Sequence, residues 1–408
     1  MPGPLSGVRV VEMTSTVSGP LAGMVLADQG ADVIKVEPPM FGDTCRYLGS
    51  MRGGMGGMYA VLNRNKRALA LDLKDPPQKA ALLDLLRTAD VLLENYRPGV
   101  LARQGLGWTA LSEGNPGLIY VSITGYGPDG PYQNRRVYDP LIQATVGMAA
   151  TQGDLGDGPE NVRTILFDKV TGLTAAQTIT AALFQRTKTG RGQYLPISMM
   201  DSALYYTWPD VMWSRTLQGE GASNEGELAD YFHILKTKDG HVAVILIQDD
   251  SFQLVSVWRG AEIHLDPRFA TLADRIANRE AFLAAMTEML SDVTSNEVCD
   301  MLDSFGVPVA RVNPLDEVHE DEQVIHQRSL VEVDHPEIGP MRLPRPPAHF
   351  DGQAPIEAFP ERHAAHVGAH TREILEEIGA EEALIAGLEK RDAEMAAQLR
   401  AAMAAAGR

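Results

Sequence analysis

The chain has 408 residues, 44% of them hydrophobic and 22% charged, enough to bury a sizeable core without covalent staples. Its 54 acidic and 36 basic residues give a formal charge of -18, which repels nucleic acid and anionic lipid, so any anionic ligand needs a local basic cluster. Cys45 and Cys299 form no CxxC pair, the N-terminus lacks a signal-peptide pattern, and no run approaches the roughly 18 apolar residues of a membrane span, so a cytoplasmic protein without disulfides or metal is expected.

Short apolar runs alternate with helical patterns from the start. Val8 to Met13 reads as a buried strand, Thr14 to Pro20 as a turn, and Leu21 to Gln29 as a helix stopped by Gly30. Val33 to Val36, Leu69 to Leu73, Val91 to Leu93 and Ile119 to Ile123 read as further strands, with a helix running from Pro76-Pro77 through Arg87. Strands separated by helices argue for a mostly parallel sheet covered on both faces. Thr171 to Arg186 reads as a long helix and Tyr194 to Met199 as a strand. The Gly/Ser/Glu-rich stretch Gln218 to Gly226 marks a boundary. Beyond it, His233 to Thr237 and His241 to Ile247 read as strands, and Asn278 to Leu290 and Ser295 to Phe305 as helices. A final helical stretch starts near Arg372. The expected fold is α/β: a large Rossmann-like domain over 1–217, a small α+β domain over 218–330, and a segment, 331–408, returning to the large domain.

A strand, a glycine turn, a helix and a second strand ending in Glu37 invite a dinucleotide-binding reading. The fingerprint is absent: Ser18-Gly19-Pro20-Leu21-Ala22-Gly23 places Pro20 where a glycine must let backbone approach a pyrophosphate. Pro20 suits the first turn of a helix instead.

In order along the chain stand LSGVRVVEMTSTVSGPLAG, GADVIKVEPP, NRNKRALALDLK, LLENYRPGVL, TGYGPDGPY, TGRGQYLPISMMDSAL and FGVPVARVNPLDEV. Together they resemble the family III CoA-transferases, whose fold α-methylacyl-CoA racemases share. The resemblance implies an interlocked, ring-shaped homodimer. It implies transfer of CoA between an acyl-CoA donor and a small carboxylic acid, with CoA as co-substrate and no tightly bound cofactor. It places the nucleophile at Asp168, just before the long helix, where the local pattern alone favours an N-cap. CoA-binding positions fall on Val17, Ser18, Leu71, Asp72, Lys74, Asn95, Tyr96, Arg97 and Arg103. Lys74, Arg97 and Arg103, with Lys66 and Arg67 nearby in sequence, would supply the basic cluster that the net charge demands.

The chain departs from some members of that family. Val17 and Pro38 stand where some carry Gln and Arg, and the run of glycines that forms a lid in the formyl-CoA type has no counterpart. The position of the racemases' catalytic His falls on Tyr138 and that of its supporting Glu near Gln248, which favours transfer over racemisation. Asp139, beside Tyr138 and before Pro140, reads as a turn or cap residue. Transfer of CoA within one dicarboxylic acid is a further alternative. Arg135, Arg136 and Arg163 are candidates to clamp a second carboxylate.

Overall fold

The computed structural model describes residues 3–152, 158–222, 227–350 and 359–405. Six parallel strands, β1 (Arg9–Met13), β2 (Asp32–Glu37), β3 (Lys66–Ala70), β4 (Val91–Glu94), β5 (Ile119–Thr124) and β6 (Gln193–Ser198), form one sheet in the order β3-β2-β1-β4-β5-β6. This is the strand order of the doubly wound dinucleotide-binding fold.

Successive side chains of a strand point to opposite faces, and each face has its own apolar core. Val10, Val33, Val91, Leu93 and Val121 pack with Leu26, Ala175, Ile179 and Leu183, from the helices α1 (Ser18–Asp28) and α4 (Phe167–Thr189). Val11, Ile34, Leu69, Leu92 and Tyr120 pack on the other face, against α2 (Pro76–Arg87) and the C-terminal residues Ile374, Leu375, Ile385 and Leu388. Between α2 and α4 lies α3 (Asp139–Thr145), and α5 (Met199–Val211) follows β6 directly.

The chain divides into two compact units, Met1–Thr207 with Arg328–Arg408, and Trp208–Gln327. The breaks expected at 217/218 and 330/331 compare with 207/208 and 327/328 here. The stretch Gln218 to Gly226 lies within the second unit, and residues 223–226 fall outside the described ones. That unit holds a three-stranded antiparallel sheet of β7 (His233–Lys236), β8 (His241–Val244) and β9 (Val309–Arg311). Phe252, Phe282, Met286, Val298 and Leu302 form its core.

Two boundaries differ from the sequence reading for physical reasons. Strand β3 begins at Lys66 rather than Leu69, because Lys66 and Arg67 are buried by pairing with acids. Helix α4 begins at Phe167 rather than Thr171, because the carboxylate of Asp139, distant in sequence, caps it.

Candidate active site

A cleft of about 400 Å³ opens at the carboxyl ends of β1, β4 and β5. The chain order reverses between β1 and β4, and that crevice is the usual ligand edge of an open α/β sheet. Ser15, Thr16 and Ser18 line it after β1, Asn95, Tyr96 and Arg97 after β4, and Gly125 and Tyr126 after β5. A loop contributes Gln133, Arg135, Arg136 and Tyr138, and Asp168 and Met199 complete the wall.

Asp168 is the second residue of α4 and does not cap it. Asp139 does so: one of its oxygens accepts the N–H of Asp168 at 3.0 Å and the N–H of Phe167 as well. Gln143, one turn along α3, donates to the other oxygen. Asp139 is therefore a cap, as expected, but for a different helix. Freed of capping, the Asp168 carboxyl lines the cleft. Burial, and then the nearby charge of Asp139, pushes its pKa up to about 6, while the Ser18 hydroxyl and N–H facing it favour the ionised form. Such a carboxylate is ionised at neutral pH yet more basic than an ordinary aspartate, which suits nucleophilic attack.

The turn between β1 and α1 is held from two sides. Asn95 grips Ser15, accepting its N–H at 3.0 Å and donating to its carbonyl at 2.9 Å. Asp43 accepts the Thr16 N–H at 2.9 Å. Behind the turn, Lys35 donates to the Thr14 carbonyl at 2.9 Å and pairs with Glu12 at 2.9 Å and Asp43 at 3.1 Å. Lys66 pairs with the second oxygen of Glu12 at 2.7 Å and donates to the Pro20 carbonyl at 2.8 Å. Burial alone would raise the Glu12 carboxyl, but Lys35 and Lys66 overcome it and hold Glu12 below the ordinary range. Burial would likewise lower Lys35, and Glu12 and Asp43 instead keep it well above its usual value. For Lys66 burial wins, and its pKa falls to about 8.

These pairings correct the expected basic cluster. Lys66 is sealed behind the turn, and Arg67 pairs with Asp32 and Glu377, each at 2.6 Å, so neither is available to phosphate. Glu37, the acid of the dinucleotide reading, is consumed by Arg46 at 2.6 Å. Of the proposed CoA positions, Ser18, Asn95, Tyr96 and Arg97 line the cleft with Asp168. Lys74 and Arg103 are exposed but do not line it, and Asp72 is half-buried, accepting the Lys74 N–H at 2.9 Å. The side chains of Val17 and Leu71, 4% and 2% exposed, belong to apolar cores and offer a ligand only their backbone. Arg135 and Arg136 line the cleft and Arg163 does not, a sorting that sequence could not make. Asp43 was missed altogether: it stands in a loop with no motif around it.

Residues 5–371 match CoA-transferase family III. The chain belongs to that family. Human (Homo sapiens) succinyl-CoA:glutarate CoA-transferase is 31% identical over 380 residues, covering 92% of this chain and 86% of the relative. Formyl-CoA:oxalate CoA-transferase of Bradyrhizobium sp. (strain ORS 278) is 33% identical over 401 residues, covering 92% and 93%. A CAIB/BAIF family protein from Brucella suis superposes with a TM-score of 0.80 at 28% identity, covering 93% of this chain and 100% of that one. This CoA-transferase is thus an enzyme whose homologues move CoA between acyl-CoA and acids. Among the described residues no helix is long and apolar enough to cross a membrane, and no group of His, Cys, Asp and Glu is arranged to hold a metal ion.

Proposed function

We propose that this CoA-transferase exchanges CoA between an acyl thioester and a carboxylic acid through covalent intermediates on Asp168. The observation that carries the reading is the carboxyl of Asp168, displayed in the cleft at the ligand edge of the sheet with its pKa raised to about 6. The carboxylate attacks the thioester carbonyl, forming an aspartyl mixed anhydride and releasing CoA thiolate. The thiolate attacks the aspartyl carbonyl and expels the first acid, leaving an aspartyl-CoA thioester. The acceptor acid reverses both steps. Binding energy from the nucleotide end of CoA helps offset the anhydride. Asn95, Tyr96 and Arg97 lie where that nucleotide would approach β4.

The named relatives act on glutarate and oxalate, acids with two carboxylates. Arg135 and Arg136 give the cleft two cations suited to the carboxylate that does not react. Racemisation requires a second proton carrier across from Asp168. The resemblance puts Tyr138 there, 69% exposed, whereas CoA transfer needs only the one carboxylate. A cytoplasmic homodimer belongs to the same proposal. Leu173 and Phe184 on α4 and Tyr205 and Tyr206 on α5 stay exposed, apolar surface of the kind a second copy covers. Light scattering should give twice the chain mass.

The test is trapping. The enzyme is incubated with succinyl-CoA, formyl-CoA or acetyl-CoA, quenched with hydroxylamine, and digested for peptide mass spectrometry. A hydroxamate at Asp168 that depends on one thioester is expected. No adduct with any of them, alongside solvent deuterium entering the acyl group, would replace transfer by racemisation.

A further inference from the structure

The turn before α1 is built more stiffly than a ligand loop requires. Thr16 has φ +72, a left-handed conformation that a β-branched residue adopts only when its surroundings impose it. The surroundings are on either side of it: Asn95 holds the Ser15 backbone by both polar groups, and Asp43 holds the Thr16 N–H. Ser18, 4% exposed, is the first residue of α1. A serine at a helix start usually caps it, but here the cap position is Val17, whose side chain makes no capping hydrogen bond. On the opposite wall, a Cβ at Gly172 would meet the Ser18 carbonyl at 2.6 Å, so α4 and the start of α1 touch through bare backbone. The strained turn and the glycine contact together set Ser18 in the cleft beside Asp168, which stands one helical turn before Gly172, and there its hydroxyl and N–H act on the Asp168 carboxyl.

We propose that the Ser18 hydroxyl is a catalytic hydrogen-bond donor to Asp168, rather than a CoA contact. The inference rests on Asp168 being the nucleophile. In the resting enzyme the hydroxyl steadies one carboxylate oxygen. When the CoA thiolate attacks the aspartyl carbonyl of the anhydride, a sulfur–carbon bond forms and the carbonyl π pair moves onto that oxygen. The hydroxyl and the Ser18 N–H then both point at the new negative charge. Collapse restores the carbonyl, breaks the bond to the departing acid and sends the electron pair out as its carboxylate. The Ser18 proton is never transferred. A donor already in place where charge develops costs no reorganisation, and removing one such donor elsewhere has slowed kcat by about 100- to 1,000-fold.

The experiment compares wild type with Ser18→Ala and Ser18→Cys, the latter keeping the volume but offering only a weak donor. Rapid quenching measures formation of the Asp168 adduct with whichever of succinyl-CoA, formyl-CoA and acetyl-CoA the wild type uses. Both variants should form it roughly 10- to 1,000-fold more slowly, with KM for the thioester within about threefold. The acid limb of kcat/KM should also move above its wild-type position near 6, because a group that favours the ionised carboxyl is gone. A packing role would move neither the limb nor kcat at constant KM. Adduct formation at the wild-type rate with an unmoved limb overturns the proposal. Absence of any Asp168 adduct in the wild type overturns the nucleophile reading itself, and the two failures are told apart by that control.

Discussion

Lys35 and Lys66 behind the first turn, and Arg97, Arg135 and Arg136 at the cleft, are all cations on segments that build one site. The lysines are buried and fully engaged with Glu12, Asp43 and backbone carbonyls. The arginines are exposed, Arg135 resting its guanidinium on the Tyr132 ring at 3.7 Å. One set holds the backbone of the first turn; the other lines the cleft, where the proposed function gives it anions to bind. In a chain of charge -18, acids are plentiful enough to neutralise cations they can reach, as they do for both lysines.

The largest effect should separate function from stability at Asp168. Asp168→Asn is expected to lower CoA transfer by more than about 1,000-fold in a steady-state assay. The same change should stabilise the fold at pH 8. The folded pKa, about 6, lies above the ordinary 3.8, so between those values the folded chain holds a proton that the unfolded chain has lost. Stability therefore falls as pH rises through that window and stays lower above it. Asparagine removes this penalty, a gain on the order of 1–2 kcal/mol after discounting for solvent screening, which should vanish below about pH 4 in urea titrations.

The buried set should respond in the opposite way. Lys35→Met leaves Glu12 and Asp43, both buried, short of a partner, and should cost about 3–5 kcal/mol in urea unfolding. At the cleft, Arg136→Ala should change stability by less than about 0.5 kcal/mol. It should raise KM for the acid by roughly 10- to 100-fold, the worth of a charge-assisted hydrogen bond. If Arg136→Ala unfolds the protein, or Lys35→Met is harmless, the division between scaffold and ligand cations is wrong.

Sequence carried the sheet well because its central strands are buried on both faces and read as mostly apolar runs, broken only by Lys35 and Ser122: Val33 to Val36, Val91 to Leu93 and Ile119 to Ile123 all lie within observed strands. It failed at β3, where Lys66 and Arg67 look like a solvated loop until Glu12 and Asp32 are placed beside them. The same failure put both residues into the ligand cluster. Asp168 was legible as a position, but its freedom from capping depends on Asp139, and nothing local reveals a cap supplied from so far along the chain. Asn95, expected as a CoA-binding position, lines the cleft, yet its grip on Ser15 comes from strand adjacency, which pairing of β1 with β4 creates.

The smallest effect tests whether the strained turn matters at all. Thr16→Gly relieves a left-handed conformation whose cost is of order 1–3 kcal/mol. Glycine also gives the unfolded chain more freedom, which offsets roughly 0.5–1 kcal/mol of that gain. The net change in stability should therefore be small, between about zero and 2 kcal/mol in favour of the variant. What should suffer is kcat, by a few-fold, since a glycine lets the backbone between Ser15 and Ser18 sample conformations that the Thr16 side chain now excludes, leaving Asn95 and Asp43 alone to hold it. A more stable variant with unchanged kcat would mean that those two contacts alone position Ser18 and that the strain is incidental. A more stable variant with reduced kcat would place the turn with Asp168 itself, as a second point where the fold gives up stability for chemistry.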